Sequence, residues 1–152
     1  MIVETTGDLL RAGAEALVNT VGIMGRGMAL QFRNAFPKNF EAYGAACRRG
    51  AVEIGRMFVF ETGSAGNPRL IINFPTKRHF RYPSRLEYVR AGLDDLASVL
   101  RARDVRSVAV PALGCGLGGT RWEAVKPLIV AALGALPEVR VLLYAPDAAG
   151  QR

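Results

Sequence analysis

The 152 residues, half of them hydrophobic, are enough for one domain with a buried core. The sequence has no run of about 18 apolar residues, which excludes a membrane-spanning helix, and it opens with a strand pattern instead of a signal peptide. Its two cysteines are too few for a disulfide framework and lack the spacing of metal ligands. We therefore expect a single cytoplasmic domain over residues 1–152, with no membrane contact, no metal and no cofactor.

The net charge of +7 favours anionic partners, among them nucleic acid, but says nothing about the fold. Almost all of the basic residues are arginines. The same excess, beside so much alanine and glycine, is equally expected from genomic composition. Charge therefore restricts the class of partner without identifying it.

Strand and helix patterns alternate along the chain, which is typical of an α/β domain. Predicted strands cover residues 2–5, 16–18, 57–61, 70–74, 106–111 and 140–144. Predicted helices cover residues 28–36, 40–49 and 84–103, with a short helix after Asp8 and a last helix that opens at Trp122 and runs to Leu136. The longest helix has leucines and valines at three- and four-residue steps, which predicts a buried stripe.

The first glycine loop follows the second predicted strand. Asn19 ends that strand, Gly22, Gly25 and Gly27 follow it, and a helical pattern opens at Met28. Glycines permit positive φ and close backbone approach, so several N–H groups can point toward one site. The helix start adds unpaired N–H groups and a partial positive charge. Such a loop can hold a diphosphate.

A second glycine loop, residues 112–119, has the same construction between the strand at 106–111 and the helix at Trp122. Two such units in a small α/β domain place both loops at the carboxyl edge of the sheet, where such sheets bind ligands. Neither loop ends as a Walker A sequence does, and neither matches the dinucleotide fingerprint. We therefore predict a pyrophosphate compound held between the two loops, and not a triphosphate with magnesium.

Residues 73–81 form the most unusual segment, in which cations alternate with aromatic rings after Pro75. The segment is either a solvated basic loop or a surface for single-stranded nucleic acid, with phosphates on the cations and bases on the rings. Neighbouring like charges also favour the neutral amine of Lys77, which can then attack a carbonyl carbon and form a Schiff base. The cations are Lys77, Arg78, His79 and Arg81, and the rings are Phe74, Phe80 and Tyr82.

Five further residues could serve either the ligand or the fold. Asp8 either caps the short helix after it or accepts an exocyclic amine such as that of adenine, and the cap is the stronger expectation. Cys115 is either a nucleophile activated by a helix N-terminus or, as we expect, a small residue where the loop is tight. His79, the only histidine, is expected to be a surface or hydrogen-bonding residue. Tyr144 and Pro146 either contact a ring of the ligand or close the sheet.

Taken together, these motifs resemble those of a macrodomain, the ADP-ribose-binding, three-layer α/β/α fold with a central mixed sheet. The likeness covers nearly the whole chain. Residues 7–8 resemble the adenine-contacting Gly-Asp of the family, residues 19–27 its substrate loop, and residues 114–119 its phosphate loop. The ADP-ribose-binding residues that the resemblance implies are Asp8, Leu9, Asn19, Thr20, Val21, Met24, Gly25, Arg26, Gly27, Met28, Leu113, Gly114, Cys115, Gly116, Leu117, Gly118, Gly119, Tyr144 and Pro146.

Within the family, three stretches are similar to those of the DNA ADP-ribosyl glycohydrolase antitoxins of DarT/DarG systems. They read V-N-T-V-G-I-M-G-R-G-M-A-L-Q-F, N-F-P-T-K-R-H-F-R and P-A-L-G-C-G-L-G-G-T-R-W. The likeness implies removal of ADP-ribose from thymidine in single-stranded DNA, with Lys77 as the catalytic lysine that attacks the anomeric carbon of the distal ribose. It also implies a DarT-like toxin as partner, and a chain that is the N-terminal fragment of a longer antitoxin; we expect a monomer. The DNA-binding residues implied are Thr76, Arg78, His79 and Arg81.

Two departures from the family pattern concern catalysis. Where the family reads N-T-V-N-T-V-G, this chain has a single N-T-V-G, so Asn19 takes the place of the first asparagine with the spacing of the second. Gly118 occupies the place of the aspartate of related lysine-using glycohydrolases, which suggests a reduced or differently assisted mechanism. The alternatives are therefore a non-catalytic ADP-ribose reader and a general nucleic-acid-binding module whose glycine loops are structural.

Overall fold

The computed structural model describes residues 1–22, 30–78, 83–115 and 119–146. Its strands are β1 Ile2–Thr5, β2 Ala16–Gly22, β3 Phe58–Glu61, β4 Leu70–Lys77, β5 Ser107–Val110 and β6 Arg140–Tyr144. Its helices are α1 Leu30–Ala35, α2 Pro37–Arg48, α3 Leu86–Ala102 and α4 Trp122–Leu133, with a 3₁₀ helix at Leu9–Arg11. Within these described ranges, none of the helices has both the length and the apolar character that crossing a bilayer requires.

The six strands form one sheet in the order β1-β6-β5-β2-β4-β3. β3 runs antiparallel to β4, while every other neighbouring pair is parallel. One face of the sheet packs against α3 and α4, and the other packs against the 3₁₀ helix, α1 and α2. The prediction of a three-layer α/β/α domain with a central mixed sheet is therefore confirmed.

The two faces follow from the alternation of side chains along each strand. On β2, Ala16 and Val18 pack with α3 and α4, whereas Leu17 and Val21 face the opposite layer. Both sets are buried, because the sheet is covered on both sides. A strand buried on both faces requires a nearly continuous apolar run. Asn19 is the buried polar residue that interrupts this run on β2.

α3 carries the buried stripe that its leucine and valine spacing predicted, and it approaches β4 very closely. Gly92 makes that approach possible, because a Cβ at this position would overlap the ring of Phe74 on β4. Phe74 is fully buried and lies three residues before Lys77. The packing of α3 therefore fixes the end of β4. The buried stripe consists of Val89, Leu93, Leu96 and Leu100.

Two strands run further than predicted. β2 continues past Asn19 to Gly22, and β4 continues past Phe74 to Lys77, so the expectation that β4 ends before Pro75 was wrong. Pro75 is tolerated because β3 pairs with β4 only as far as Asn73, which leaves one side of β4 without a partner strand beyond that point. The two extensions pair with each other.

Three helix boundaries differ clearly from the prediction. α3 begins at Leu86 and not at Ser84, α4 ends at Leu133 and not at Leu136, and α2 begins at Pro37 and not at Phe40. Proline both ends α1 and starts α2, because its fixed φ and missing N–H suit the first position of a helix. The predicted cap is confirmed: Asp8 precedes the 3₁₀ helix, and its Oδ1 accepts a hydrogen bond from the Leu10 N–H at 3.0 Å.

Candidate functional site

The five parallel strands all end at one edge of the sheet, which brings together the segments that follow them. β2 and β5, the strands before the two glycine loops, are neighbours, so the prediction that both loops leave the same edge is confirmed. Gly22 lies opposite Lys77 in the β2–β4 pair, and Thr5 lies opposite Tyr144 in the β1–β6 pair. The edge therefore has Lys77 at the first loop and Asp8 near the end of β6.

Asn19 lies inside the sheet and is only 3% exposed. Its Nδ2 donates a hydrogen bond to Oδ1 of Asn73 on β4 at 3.0 Å. The same oxygen accepts from Nδ2 of Asn39 on α2 at 3.2 Å, and Asn73 in turn donates to Asn39 Oδ1 at 2.8 Å and to the Phe58 carbonyl at 3.1 Å. These three asparagines form a buried amide network that joins β2, β4 and α2 beneath the site.

A β-bulge precedes Lys77. Val21 is paired with Pro75 and Gly22 with Lys77, so Thr76 is an extra residue in β4. Thr76 is 5% exposed and its Oγ1 donates to the Val21 carbonyl at 3.5 Å. Bulges re-aim the side chains next to them and are common beside functional sites. Here the bulge turns Thr76 inward and leaves Lys77 half-buried at the strand end.

Arg78 begins a cation–aromatic cluster on the outer side of Lys77. Its Nε donates to the Tyr88 hydroxyl at 3.1 Å, and its guanidinium carbon lies 5.3 Å from the Tyr88 ring centre. The guanidinium carbon of Arg85 lies 6.0 Å from the same ring. Arg85 also pairs with Glu87 at 3.5 Å, but both side chains are 66% exposed, so the pair neutralises little. We call Arg78, Tyr88 and Arg85 the arginine–tyrosine cluster.

The base of the second glycine loop is held by Thr120. Its N–H donates to the Gly114 carbonyl at 3.0 Å and its Oγ1 to the Leu113 carbonyl at 3.3 Å. Gly114 has φ of 73° and Gly119 of 85°, which a side chain would strain. α4 begins directly after the loop, and its N-terminus has no side-chain cap. The N-terminus of α4 therefore follows the loop at which the sequence predicted a diphosphate, as anion-binding sites at helix starts require.

Cys115 lies in that loop but lacks the environment of a nucleophile. Burial raises the pKa of its thiol and Glu123 raises it further, while the Thr120 hydroxyl, 3.8 Å from the sulfur, lowers it less. The net shift is upward, so the reactive thiolate is disfavoured. The structure thus agrees with a small, packed residue at a tight point of the loop.

At the other end of the edge, Leu9 and Tyr144 pack against the same part of the core. The Ala145 N–H donates to the Thr5 carbonyl at 3.1 Å, which ties the end of β6 to β1. Asp8 is exposed beside them and uses one carboxylate oxygen for its cap. Tyr144 and Pro146 are half-buried, so both roles considered for them, ligand contact and closure of the sheet, remain predictions.

Of the other predicted site residues, Thr20 is half-buried and Val21 buried on β2, while Leu113 and Gly114 are buried and Gly119 is exposed in the second loop. No described group of histidine, cysteine, aspartate and glutamate could hold a metal ion. Ten predicted site residues lie outside the described ranges: Met24, Gly25, Arg26, Gly27, Met28, His79, Arg81, Gly116, Leu117 and Gly118.

Sequence reasoning missed Asn39, Asn73, Arg85 and Tyr88. An available signal for Asn73 was a polar residue in the middle of an otherwise apolar strand. Tyr88 and Arg85 gave no comparable signal, because a helix start rich in charge and aromatic character is ordinary. Their proximity to Arg78 arises only when α3 folds back along β4.

The chain matches the family model described as Macro domain over residues 17–129. It is 53% identical over 150 residues to the DNA ADP-ribosyl glycohydrolase of Mycobacterium tuberculosis, and the alignment covers 97% of this chain and 43% of that protein. This chain therefore spans less than half the length of that curated relative.

Two solved structures are similar over almost the whole chain. The macrodomain of Mycobacterium tuberculosis DarG has a TM-score of 0.94 at 52% identity and covers 97% of this chain and 99% of its own. Thermosipho africanus DarTG in complex with ADP-ribose has a TM-score of 0.87 at 28% identity, covering 96% of this chain and 42% of its own. Because the family model matches well over half of the residues and these structures share the fold, the chain belongs to the macro domain family.

Proposed function

We propose that this macrodomain is a DNA ADP-ribosyl glycohydrolase that removes ADP-ribose from thymidine in single-stranded DNA and so reverses the action of a DarT-like toxin. The single observation that carries the proposal is the 53% identity, over nearly the whole chain, to a protein named for this activity. The position of Lys77, beside the first glycine loop at the carboxyl edge, supports it. Because the chain spans 43% of that relative, we propose that it is the N-terminal macrodomain of a longer antitoxin.

In this proposal, ADP-ribose lies along the carboxyl edge of the sheet. The second carboxylate oxygen of Asp8 accepts the adenine amine, since the first is used in the cap. The diphosphate lies between the glycine loops, close to the N-terminus of α4. This order directs the distal ribose toward the end of β4, where Lys77 is located.

The chemistry proposed for Lys77 is displacement at the anomeric carbon of that ribose. The lone pair of the neutral amine forms a C–N bond while the glycosidic bond to thymine breaks, and its electron pair leaves with the base. The proton that the attacking amine loses is the one that the base gains, so this step balances without a second acid. Water then releases ADP-ribose and restores the amine. Such an exchange would suit a second loop that has Gly118 in place of an aspartate.

The arginine–tyrosine cluster supports single-stranded DNA as the carrier of the ADP-ribose. Two exposed guanidinium groups flank one aromatic ring directly beside Lys77. Cations that contact phosphates and rings that stack on unpaired bases are the usual features of single-strand binding. Thr76 was predicted among the DNA-binding residues. Since its hydroxyl is buried against β2, we propose that Thr76 supports the DNA surface from below.

A non-catalytic ADP-ribose reader is the second candidate, and the amide network favours it. The only asparagine of the shortened loop motif, Asn19, is buried and donates to Asn73, so its side chain is already engaged inside the sheet. The motif then has no second asparagine that could position the distal ribose near Lys77. Binding of ADP-ribose would survive this loss more readily than turnover.

Release of ADP-ribose from a thymidine-modified single-stranded oligonucleotide separates the two candidates. We expect release by the parent chain and none by Lys77→Ala, while calorimetry shows that both bind ADP-ribose. Lys38→Ala, which removes an exposed lysine of α2, is the matched control and should act like the parent. Binding without release by the parent would overturn the enzyme and leave the reader.

The wider context of the proposal is a monomer in the bacterial cytoplasm, where both the toxin and single-stranded DNA would be met. Light scattering of the purified chain at several concentrations tests the monomer. Co-expression with a DarT-like toxin tests the antitoxin role: the parent should permit growth and Lys77→Ala should not.

A further inference from the structure

Ser84 carries a buried hydroxyl for which the described part of the chain supplies no hydrogen bond. The residue is 6% exposed, and its Oγ has no partner among the described residues. A buried hydroxyl usually has a partner, because leaving one unsatisfied costs free energy. Such an exception calls for a reason beyond packing.

The most ordinary reason, a helix cap, does not apply here. The sequence S-R-L-E at residues 84–87 has the form of a capping box. In the structure the cap position of α3 is Arg85, and no side-chain cap hydrogen bond is formed. Ser84 therefore precedes α3 but does not cap its N-terminus.

Ser84 instead packs against the base of the second glycine loop. A Cβ built on Gly114 would lie 3.2 Å from the Ser84 Cβ and 2.8 Å from the Thr120 Oγ1. The neighbouring pair repeats the contact, since a Cβ on Gly119 would lie 3.6 Å from the Pro83 Cβ. Pro83 and Ser84 thus pack against the loop that follows β5.

Two hydroxyls therefore meet at Gly114, and they differ in one respect. Thr120 donates to the Leu113 carbonyl and holds the loop, whereas Ser84 has no hydrogen bond to any of the residues that the structure describes. A hydroxyl can donate one hydrogen bond and accept two. Ser84 lies beside the loop proposed to hold the diphosphate, so a ligand bound there, or a water on it, can supply a partner for this hydroxyl.

We propose that Ser84 is a further ligand-binding residue of this site, and that its hydroxyl hydrogen-bonds, directly or through one water, to the ADP-ribose held by the second glycine loop. The inference rests on the ADP-ribose binding of the proposed function but not on glycohydrolase turnover. The hydroxyl, which lacks a partner within the described ranges of the free protein, gains one in the bound state.

Calorimetric titration of Ser84→Ala with ADP-ribose, paired with thermal unfolding, tests this role. We expect affinity to fall by about threefold to tenfold, as for the loss of one hydrogen bond, while Tm stays the same or rises, because no hydrogen bond of the free protein is removed. Ser98→Ala on α3, whose hydroxyl donates to the Asp94 carbonyl, is the control and should bind normally. Titration with ADP locates the contact: an equal loss places it at the diphosphate, and no loss for ADP places it at the distal ribose.

The remaining outcomes overturn the inference. Unchanged ADP-ribose affinity in Ser84→Ala would show that the hydroxyl does not serve the ligand, and a lower Tm with unchanged affinity would make Ser84 a structural residue. A parent chain that does not bind ADP-ribose would remove both this inference and the proposed function. Binding without glycohydrolase release would remove only the enzyme and would leave the role of Ser84 to be decided by the same titrations.

Discussion

The side-chain amide of Asn19 donates to the side-chain oxygen of Asn73 across a parallel strand pair, at 3.0 Å. Asn39 completes the arrangement from α2, so both donors and both lone pairs of the Asn73 amide are used. A buried amide whose donors and acceptors are all used favours one register of β2 against β4. That register is what places Lys77 opposite Gly22.

Replacing Asn73 should therefore be costly. Asn73→Ala removes four hydrogen bonds and leaves the amides of Asn19 and Asn39 buried without this partner. We expect a loss of about 2–4 kcal/mol in the free energy of unfolding, measured by urea titration. Asn34→Ala, at an exposed position of α1, is the control and should change little. A loss no larger than that of the control would mean that the network does not stabilise the sheet.

The same pair shows where sequence reasoning succeeds and where it stops. β6 was predicted with its observed ends, and the two glycine loops were placed at the correct edge, because strand and turn signals are local. Asn19 was interpreted as the end of a strand because a polar residue after apolar ones usually is. Its partner lies 54 residues away, and no local pattern reveals that a buried amide will be satisfied from another strand. The bulge at Thr76 was missed for the same reason.

Because α3 packs closely on β4, we expect even the substitution Gly92→Ala to destabilise the protein. Alanine there would favour the helix but would force its Cβ into the buried ring of Phe74. We expect overpacking to dominate and to lower the stability by about 1–3 kcal/mol. Gly44→Ala on α2 is the matched control, since its new Cβ would meet only the flexible end of Arg48 at 3.4 Å; it should be neutral or stabilising by up to about 1 kcal/mol. Equal effects in both helices would contradict the close approach.

Glu15 predicts a specific pH dependence of stability. Its carboxylate accepts from Arg69 Nε and from the Arg106 N–H, each at 2.7 Å. Burial raises the pKa of Glu15, but these hydrogen bonds and the charge of Arg69 outweigh it, so the pKa lies below the ordinary 4.5. A lowered folded-state pKa stabilises the protein above the unfolded-state value, and this contribution is lost as the pH falls through the folded-state pKa.

Glu15→Gln should accordingly be less stable than the parent by about 1 kcal/mol at pH 7, and the difference should shrink as the pH falls below 4.5. Urea titrations between pH 7 and the acid limb measure both quantities. Glu41→Gln, which removes an exposed carboxylate of α2, is the control. Its free energy of unfolding should follow that of the parent over the same pH range. A gap that stays constant down the acid limb would exclude a titrating contribution from Glu15.

The raised pKa of Cys115 predicts that its thiol is alkylated slowly. Because burial keeps the thiol protonated, iodoacetamide at pH 7 should alkylate Cys115 more slowly in the folded chain than in the urea-unfolded chain. Peptide mass spectrometry distinguishes it from Cys47. Faster alkylation of Cys115 in the folded chain would instead support its role as a nucleophile.

The arginine–tyrosine cluster predicts that single-stranded DNA binds at the N-terminal end of α3 and not at its C-terminal end. Arg85→Ala should weaken binding of an unmodified single strand and reduce the salt slope, log Kd against log salt, by about 0.7 if the side chain contacts one phosphate. Tyr88→Leu should weaken binding by about 1–3 kcal/mol through lost stacking, without changing that slope. Arg101→Ala removes an exposed arginine at the opposite end of the same helix and should leave both quantities unchanged. If Arg101→Ala reduced the slope as much as Arg85→Ala, the strand would be attracted by the net charge of the whole domain and not by this cluster.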